Sequence, residues 1–314
     1  MKQIAVLMST YNGENYVGEQ LDSILQQTFN SKEYTLDVFC RDDNSNDGTL
    51  ILLEKYSQSF ECVHILENSG ISFGVRGSFY SLLASVDADF YFFCDQDDVW
   101  KDDKIKKFLE KFSQVNTDIP GGVYSDLMLV DAKNNSLHKT MSKIQKWPNN
   151  EDRSLALFLF QTRVTGAAFA VNRKARDKVV TIGSSRFKNV LMHDSILALI
   201  ARSYNNLFYL SEPLVNYRQH GNNVLGAMPQ RHTIFDIHFK VKHYRRLFND
   251  LRLVWEVIGD DPIPIENRRL IEGALELSKT KNFGLRVKSI LRNYKAVWSN
   301  YNVRHTLLLL FFFN

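Results

Sequence analysis

Apolar and polar positions along this chain fall into blocks that switch between two periods. Residues 3–9 (QIAVLMS) are a continuous apolar run, the pattern of a central parallel strand covered on both faces. The run breaks at STYNG, residues 9–13, and a helix is expected from about Glu14, with Tyr16, Val17, Leu21, Ile24 and Leu25 at helical spacing. Residues 35–40 predict the next strand. RDDNSNDGT follows, in which Asp47 or a neighbour can cap a helix through residues 50–56. Residues 62–66 predict a third strand, and ENSGISFG leads from it into a helix over 75–86. The next strand belongs to residues 90–100, FYFFCDQDDVW, where an aromatic run ends in Asp95, Asp97 and Asp98. Strand and helix in this alternation predict a doubly wound α/β sheet with helices on both faces. Ligands bind such sheets outside the carboxyl ends of the strands. Ser9–Tyr11, Asp42/Asp43 and Asp95–Asp98 all stand at such ends, which points to one site.

The second half is more mixed. Residues 121–131 read as a strand. Residues 166–172 (GAAFAVN) are small and apolar, suited either to close backbone approach to a ligand or to tight packing. Met192-His193-Asp194 opens the apolar helix SILALIA, with Asp194 in the first turn, where a helix dipole favours an acid. Residues 214–217 predict another strand, ending in RQHGNN. From about Thr233 the spacing turns helical, with Ile234, Ile237, Val241, Tyr244 and Phe248 on one face and Lys240, Lys242, Arg245 and Arg246 around it. Pro262 and Pro264 mark a break, and helices are expected over 266–278 and 285–299. Two regions follow from this pattern: a catalytic domain over 1–230 and a basic, amphipathic helical region over 231–314.

Charge sharpens the division. The chain of 314 residues carries a net charge of +4, but residues 231–314 hold 15 Lys and Arg against 8 Asp and Glu. A slightly acidic body therefore carries a basic tail. The apolar residues 307–313 are too few to cross a bilayer, and no run of ~18 apolar residues predicts a spanning helix. The tail can lie in a membrane's interfacial layer or pack in a groove of the protein. Nothing accompanies it that reads as a nucleic-acid-binding motif, so no nucleic-acid partner is expected. Three cysteines, Cys40, Cys62 and Cys94, all in strand-like segments, favour reduced thiols and a cytoplasmic setting. The N-terminus enters a strand at once, without the apolar core of a signal peptide.

The three acids after residue 94 define the candidate chemistry. Carboxylates crowded at a strand end repel one another, and a divalent cation is one compensation. Asp95 and Asp97 lie two apart, on one face of a regular strand. Hard oxygen ligands of this kind suit Mg²⁺ or Mn²⁺ shared with substrate phosphates. The plainer alternative is that Asp98 or a neighbour caps the basic helix after Lys101. Neither GxGxxG, GxxxxGK[ST] nor GxSxG is present, so dinucleotide, P-loop and hydrolase-elbow readings fall away.

Six segments, STYNGENYVGEQLDSILQQT, RDDNSNDGT, CDQDDVW, TGAAFAVNR, HDSILALIA and YRQHGNN, resemble in order the motifs of the family-two inverting glycosyltransferases. The likeness runs over about residues 3–225 and implies a GT-A fold, an α/β fold with a mostly parallel central sheet, helices on both faces and a C-terminal helical appendage. FCDQDDVW, with HD in place of the commoner ED, is most similar to the bacterial rhamnosyltransferase branch, which builds cell-wall and capsular polysaccharides. The resemblance implies that Thr10, Tyr11 and Glu14 line the nucleotide pocket. It makes Asp42 the reader of the base edge, with Asp43 beside it, and turns Arg76 toward the nucleotide, with Gly77 where the family usually has Asn. Asp95 would contact ribose or sugar, Asp97 would hold a Mg²⁺ or Mn²⁺ on the diphosphate, and Asp194 would be the catalytic base. His220 would reach the metal or the diphosphate, or be an ordinary structural histidine.

By the same resemblance the donor is a nucleotide sugar, dTDP-β-L-rhamnose for an α-L-rhamnosyl product, or else a UDP-hexose. The acceptor is a glycan on a polyprenyl diphosphate carrier. The expected setting is cytoplasmic, peripheral on the inner face of the cell membrane. The opposing reading from another class is a catalytically silent nucleotide-sugar-binding protein. The intact acids Asp42, Asp95, Asp97 and Asp194 argue against it.

Overall fold

The structure, a computed structural model, describes residues 1–68, 70–145, 147, 154–159, 163–219 and 237–279, with the single positions 284, 287 and 288. The first half winds as expected: β1 (Lys2–Thr10), α1 (Val17–Leu25), β2 (Tyr34–Asp42), α2 (Thr49–Ser59), β3 (Val63–Ile65), α3 (Gly74–Ser85) and β4 (Phe90–Asp95). Next come β5 (Val99–Trp100), α4 (Lys104–Phe112), β6 (Gly122–Val130), β7 (Ser136–Thr140), α5 (Met141–Ile144) and α6 (Leu155–Phe158). A 3-10 turn at Gly166–Ala168 enters β8 (Phe169–Asn172), followed by α7 (Arg173–Val180), α8 (Ser184–Phe187), α9 (His193–Ser203) and β9 (Leu207–Arg218). Two helices, α10 (Ile237–Ile258) and α11 (Ile265–Lys279), complete the described chain.

The strands form one sheet in the order β3-β2-β1-β4-β8-β6-β9-β5, with β7 beside β6. Strands β3, β2, β1 and β4 are parallel. β8 runs antiparallel between β4 and β6, β9 returns parallel to β6, and β5 pairs antiparallel with β9. The chain leaves β1 for β2 on one side and reaches β4 on the other. The order therefore reverses at β1, and the crevice outside its carboxyl end is the natural ligand position.

The continuous apolar runs are explained by two cores, one on each face. β1 sends Ala5 and Leu7 to one, and Ile4, Val6 and Met8 to the other; β4 splits Tyr91 and Phe93 from Phe92 and Cys94 in the same way. A fully buried Phe93 or Leu7 contributes about 1.5–3 kcal/mol from burial of its side chain.

The predicted strand at 214–217 is the end of a longer one. Its earlier part, from Phe208 to Pro213, is partly exposed and contains Glu212 and Pro213, which erase the apolar signal. The expected helix over 285–299, the tail at 307–313 and His220 lie outside the described residues. α10 and α11 do not stand apart from the sheet. Leu247, Phe248, Leu251, Val254, Ile258, Ile271, Ala274 and Leu275 enter the same core as α3, α7 and α9. Asn267 Nδ2 donates to the Ser203 carbonyl at 3.0 Å, and Lys178 pairs with Asp261 at 2.6 Å. Among the described residues no helix is long and apolar enough to cross a membrane.

Candidate active site

Strand register brings the predicted groups together. Thr10 lies opposite Asp42, and Ser9 lies opposite Asp95. Thr10 Oγ donates to Asp42 Oδ1 at 2.9 Å; Ser45 holds the same carboxylate with its Oγ at 2.6 Å and its N–H at 2.8 Å. Asp42 is thus fixed, and buried, at the sheet edge. The β1–α1 turn is stitched to the β2–α2 turn: Asn12 N–H donates to Ser45 Oγ at 2.8 Å, and Glu14 Oε2 accepts from Gly48 N–H at 2.7 Å. Asn12 sits at φ 48°, a left-handed value that asparagine tolerates. Tyr11 is left exposed above this platform.

Asp43, beside Asp42, braces the protein. Its carboxylate accepts from Arg41 Nη1 at 2.8 Å, Ser72 Oγ at 2.6 Å, Phe73 N–H at 2.7 Å, Gly74 N–H at 2.8 Å and Ser78 Oγ at 3.3 Å. Those bonds saturate its lone pairs, seat the N-terminus of α3, and outweigh burial to hold its pKa below the usual carboxylate value. Arg76 likewise reaches a protein partner, its Nε donating to the Leu191 carbonyl at 2.9 Å on the approach to α9.

At the end of β4 the acids are crowded. Burial, then the charges of Asp97 and Asp194, push Asp95 up to about 7. Asp98 is buried, accepts from Arg218 N–H at 3.0 Å through Oδ1, and has no hydrogen-bond partner for Oδ2 among the described residues. Burial, then Asp97 and Asp95, raise it well above the ordinary carboxylate range. The opposing charge is Lys104, which is wholly buried and pushed well below its usual pKa by that burial. Its Nζ donates to the Ala167 carbonyl at 2.7 Å and lies 3.3 Å from the Trp100 ring centroid.

Three groups hold this acidic loop in place. Gln96 clasps the backbone of Tyr11, accepting from its N–H at 2.7 Å and donating to its carbonyl at 2.9 Å. Gly13 leaves room for the Gln96 amide, since a Cβ there would collide with it. Buried Arg218 donates to the Asp97 carbonyl at 2.7 Å, the Ala132 carbonyl at 2.7 Å and Glu19 Oε2 at 2.6 Å. Sequence reasoning assigned no role to Gln96, Lys104 or Arg218. Lys104 did leave a signal, because it falls on the apolar stripe of α4 with Phe108 and Phe112.

Asp194 arrives from the other half of the chain. β8 runs antiparallel to β4, so the Gly166–Ala168 turn before it lies at the end of β4 that carries Asp95. Asp194 Oδ2 accepts from Gly166 N–H at 2.7 Å and Oδ1 from Ser195 N–H at 2.6 Å. Burial nevertheless prevails and raises Asp194 to about 6. Its neighbour His193 is buried, stacked 3.8 Å from the Phe79 ring centroid, and pushed down to about 3 by burial, so it is neutral.

A hard divalent cation fits Asp95 and Asp97. Burial, then the charge of Asp97, raises Asp95 and Asp98, a cost that a cation beside them would relieve. No three His, Cys, Asp or Glu side chains among the described residues form a ready metal cage, so substrate oxygens would complete the coordination.

The profile of the family described as "Glycosyl transferase family 2" matches residues 5–180. The dTDP-rhamnosyl transferase RfbG of Shigella flexneri is 30% identical over 253 residues, covering 76% of this chain and 78% of its own. Among solved structures, S. aureus TarS 1-349 in complex with UDP superposes with a TM-score of 0.57 at 16% identity, covering 97% of this chain and 77% of that one. The mannosyltransferase PcManGT of Pyrobaculum calidifontis, in complex with GDP-Man and Mn²⁺, gives 0.52 at 16% identity, covering 98% and 78%.

Proposed function

The chain belongs to glycosyl transferase family 2, and we propose that it moves L-rhamnose from dTDP-β-L-rhamnose onto a hydroxyl of a lipid-linked cell-surface glycan with inversion. One observation carries the reaction class. Asp194 and the Asp95–Asp97 pair stand at the same end of the sheet, near enough that the charge of Asp194 raises Asp95. The rhamnose assignment is supported by the relative named a dTDP-rhamnosyl transferase, together with the FCDQDDVW and HD motifs.

Thr10, Tyr11 and Asp42 receive the nucleoside, with Glu14 and Asp43 bracing the loops around it. Asp95 and Asp97 would hold Mg²⁺ or Mn²⁺, which would offset the charge of the departing nucleotide. Asp194 takes the acceptor proton as the acceptor oxygen bonds the anomeric carbon and the bond from that carbon to the diphosphate oxygen breaks. The two backbone N–H groups on Asp194 fix its orientation and leave each oxygen a lone pair for that proton. A value of about 6 suits a general base, which is then ionised at neutral pH yet more basic than an ordinary aspartate.

The acceptor in this reading sits on a polyprenyl diphosphate, and the basic region over 231–314 holds the protein to the inner membrane face. The second reading keeps the machinery and changes the donor to a UDP-sugar, which the likeness to a UDP-bound fold favours. A donor screen decides between them. Purified protein with Mn²⁺ is offered dTDP-L-rhamnose and a panel of UDP-hexoses, and nucleotide release and thermal shift are read together. Response to dTDP-rhamnose alone supports the first reading, and preference for a UDP-sugar replaces it with the second.

A further inference from the structure

The peptide of Leu191, three residues before Asp194, is gripped from both sides. Its carbonyl accepts from Arg76 Nε at 2.9 Å. Its N–H donates to the Asp250 carboxylate, 3.0 Å from Oδ2 and 3.2 Å from Oδ1. The two partners come from α3 and α10, at positions 174 residues apart in elements that share no turn or strand pairing. Asp250 is buried at 1% exposure. A buried carboxylate costs several kcal/mol to desolvate, and packing α10 against α9 does not need one. Apolar contacts from Leu247, Leu251 and Val254 already hold the two helices together.

We propose that Arg76 and Asp250 form a clamp on the Leu191 peptide that sets the position of the base Asp194, which makes Asp250 a positioning residue supplied by the C-terminal helical region. The inference rests on the reading of Asp194 as base. α9 begins at His193, so the clamp fixes the chain at the point where the helix starts. Met192 follows it in extended backbone, φ −155° and ψ 159°, with no side-chain cap of its own. Without the clamp the chain entering α9 loses both backbone hydrogen bonds at Leu191, and the base is held less closely, by its bond from Gly166 N–H and the stacking of His193. Arg246 lies one helical turn before Asp250, and both arginines draw the Asp250 proton off while Asp194 opposes that. Asp250 lies beyond residues 5–180, the span shared with the family profile, so this support comes from the chain's own C-terminal helices.

The test compares Asp250→Ala, Asp250→Asn and Arg76→Met in the full chain. Asp250→Ala and Arg76→Met should each lower kcat for sugar transfer about 10- to 100-fold, the scale expected for a misplaced catalytic group. Donor KM should stay within about twofold of wild type, since the donor acids are untouched. Asp250→Asn keeps an acceptor oxygen for Leu191 N–H and should recover most of the rate. Backbone hydrogen exchange over 191–195 should accelerate in Asp250→Ala and Arg76→Met but not in Asp250→Asn. Unchanged kcat with unchanged exchange overturns the clamp. So does a rise in donor KM without loss of kcat in Arg76→Met, which would make Arg76 a donor ligand. Should Asp250→Ala fail to fold, Arg76→Met reads the same clamp from α3. Should wild type transfer no sugar, the exchange measurement still judges the clamp while the functional reading alone falls.

Discussion

Gly166 donates its backbone N–H to Asp194 Oδ2 at 2.7 Å, and a Cβ at residue 166 would lie 2.7 Å from His193 Nε2. The small residue is therefore required by the base it serves. His193 is stacked against Phe79 and Phe93, so it can yield only by disturbing that stack. Gly166→Ala should push His193 and Asp194 away together. The expected result is a folded protein with transfer reduced by about 10²-fold, the cost of roughly 1 Å of misplacement, and with donor binding retained. Loss of donor binding in the thermal-shift assay would place Gly166 in the donor pocket instead.

Burial outweighs the backbone hydrogen bonds to Asp194 and pushes its pKa up to about 6. A base must be ionised to act, so kcat/KM should rise with pH through about 6 and level off above it. Asp194→Asn should remove the rising limb along with about 10²–10⁴-fold of the rate and leave nucleotide binding intact. If Asp194→Asn keeps the rate, the carboxylate serves only the first turn of α9.

Asp97 and Asp98 are adjacent yet should behave in opposite ways. Asp98 is buried, with one oxygen on Arg218 N–H, and burial raises its pKa. Asp98→Asn preserves that acceptor, so melting temperature and activity should change little. Asp97 is half-buried. Asp97→Asn should abolish the extra thermal stabilisation that Mn²⁺ confers on the nucleotide complex. Full Mn²⁺-dependent turnover in Asp97→Asn would remove the metal assignment.

The strands that build the site were legible because β1 and β4 are covered on both faces, which leaves unbroken apolar runs ending in polar clusters. Acids at those ends stood out for the same reason. What could not be read was the support behind them. Lys104 reaches Ala167, Arg218 reaches Glu19, and Asp250 reaches Leu191, pairs separated by 63, 199 and 59 residues. No local period encodes such a pairing; tertiary packing alone creates it. The bracing partners of Asp43 were hidden for the same reason: it sits beside Asp42 in sequence, but they lie at the start of α3.

Asp250 also leaves a signature in stability. Burial pushes its pKa up to about 8, against about 3.9 in an unfolded chain. Below pH ~4 both states hold the proton, and its contribution is fully present. Between those values the unfolded chain has released the proton while the folded protein keeps it. Stability is then lost as pH rises, by at most about 1.4 kcal/mol per pH unit. Above about 8 both states are ionised and the loss is complete. Asp250→Asn has no proton to exchange. Asp95, Asp194 and His193 titrate in both proteins and drop out of the difference to first order. Urea unfolding of wild type and Asp250→Asn at pH 5, 6.5 and 8 should therefore show wild type losing ground to the variant at each step toward alkaline pH. Parallel curves would mean that Arg76 and Arg246 hold Asp250 ionised, and the Leu191 N–H would then be bound by a charged carboxylate that asparagine cannot fully replace.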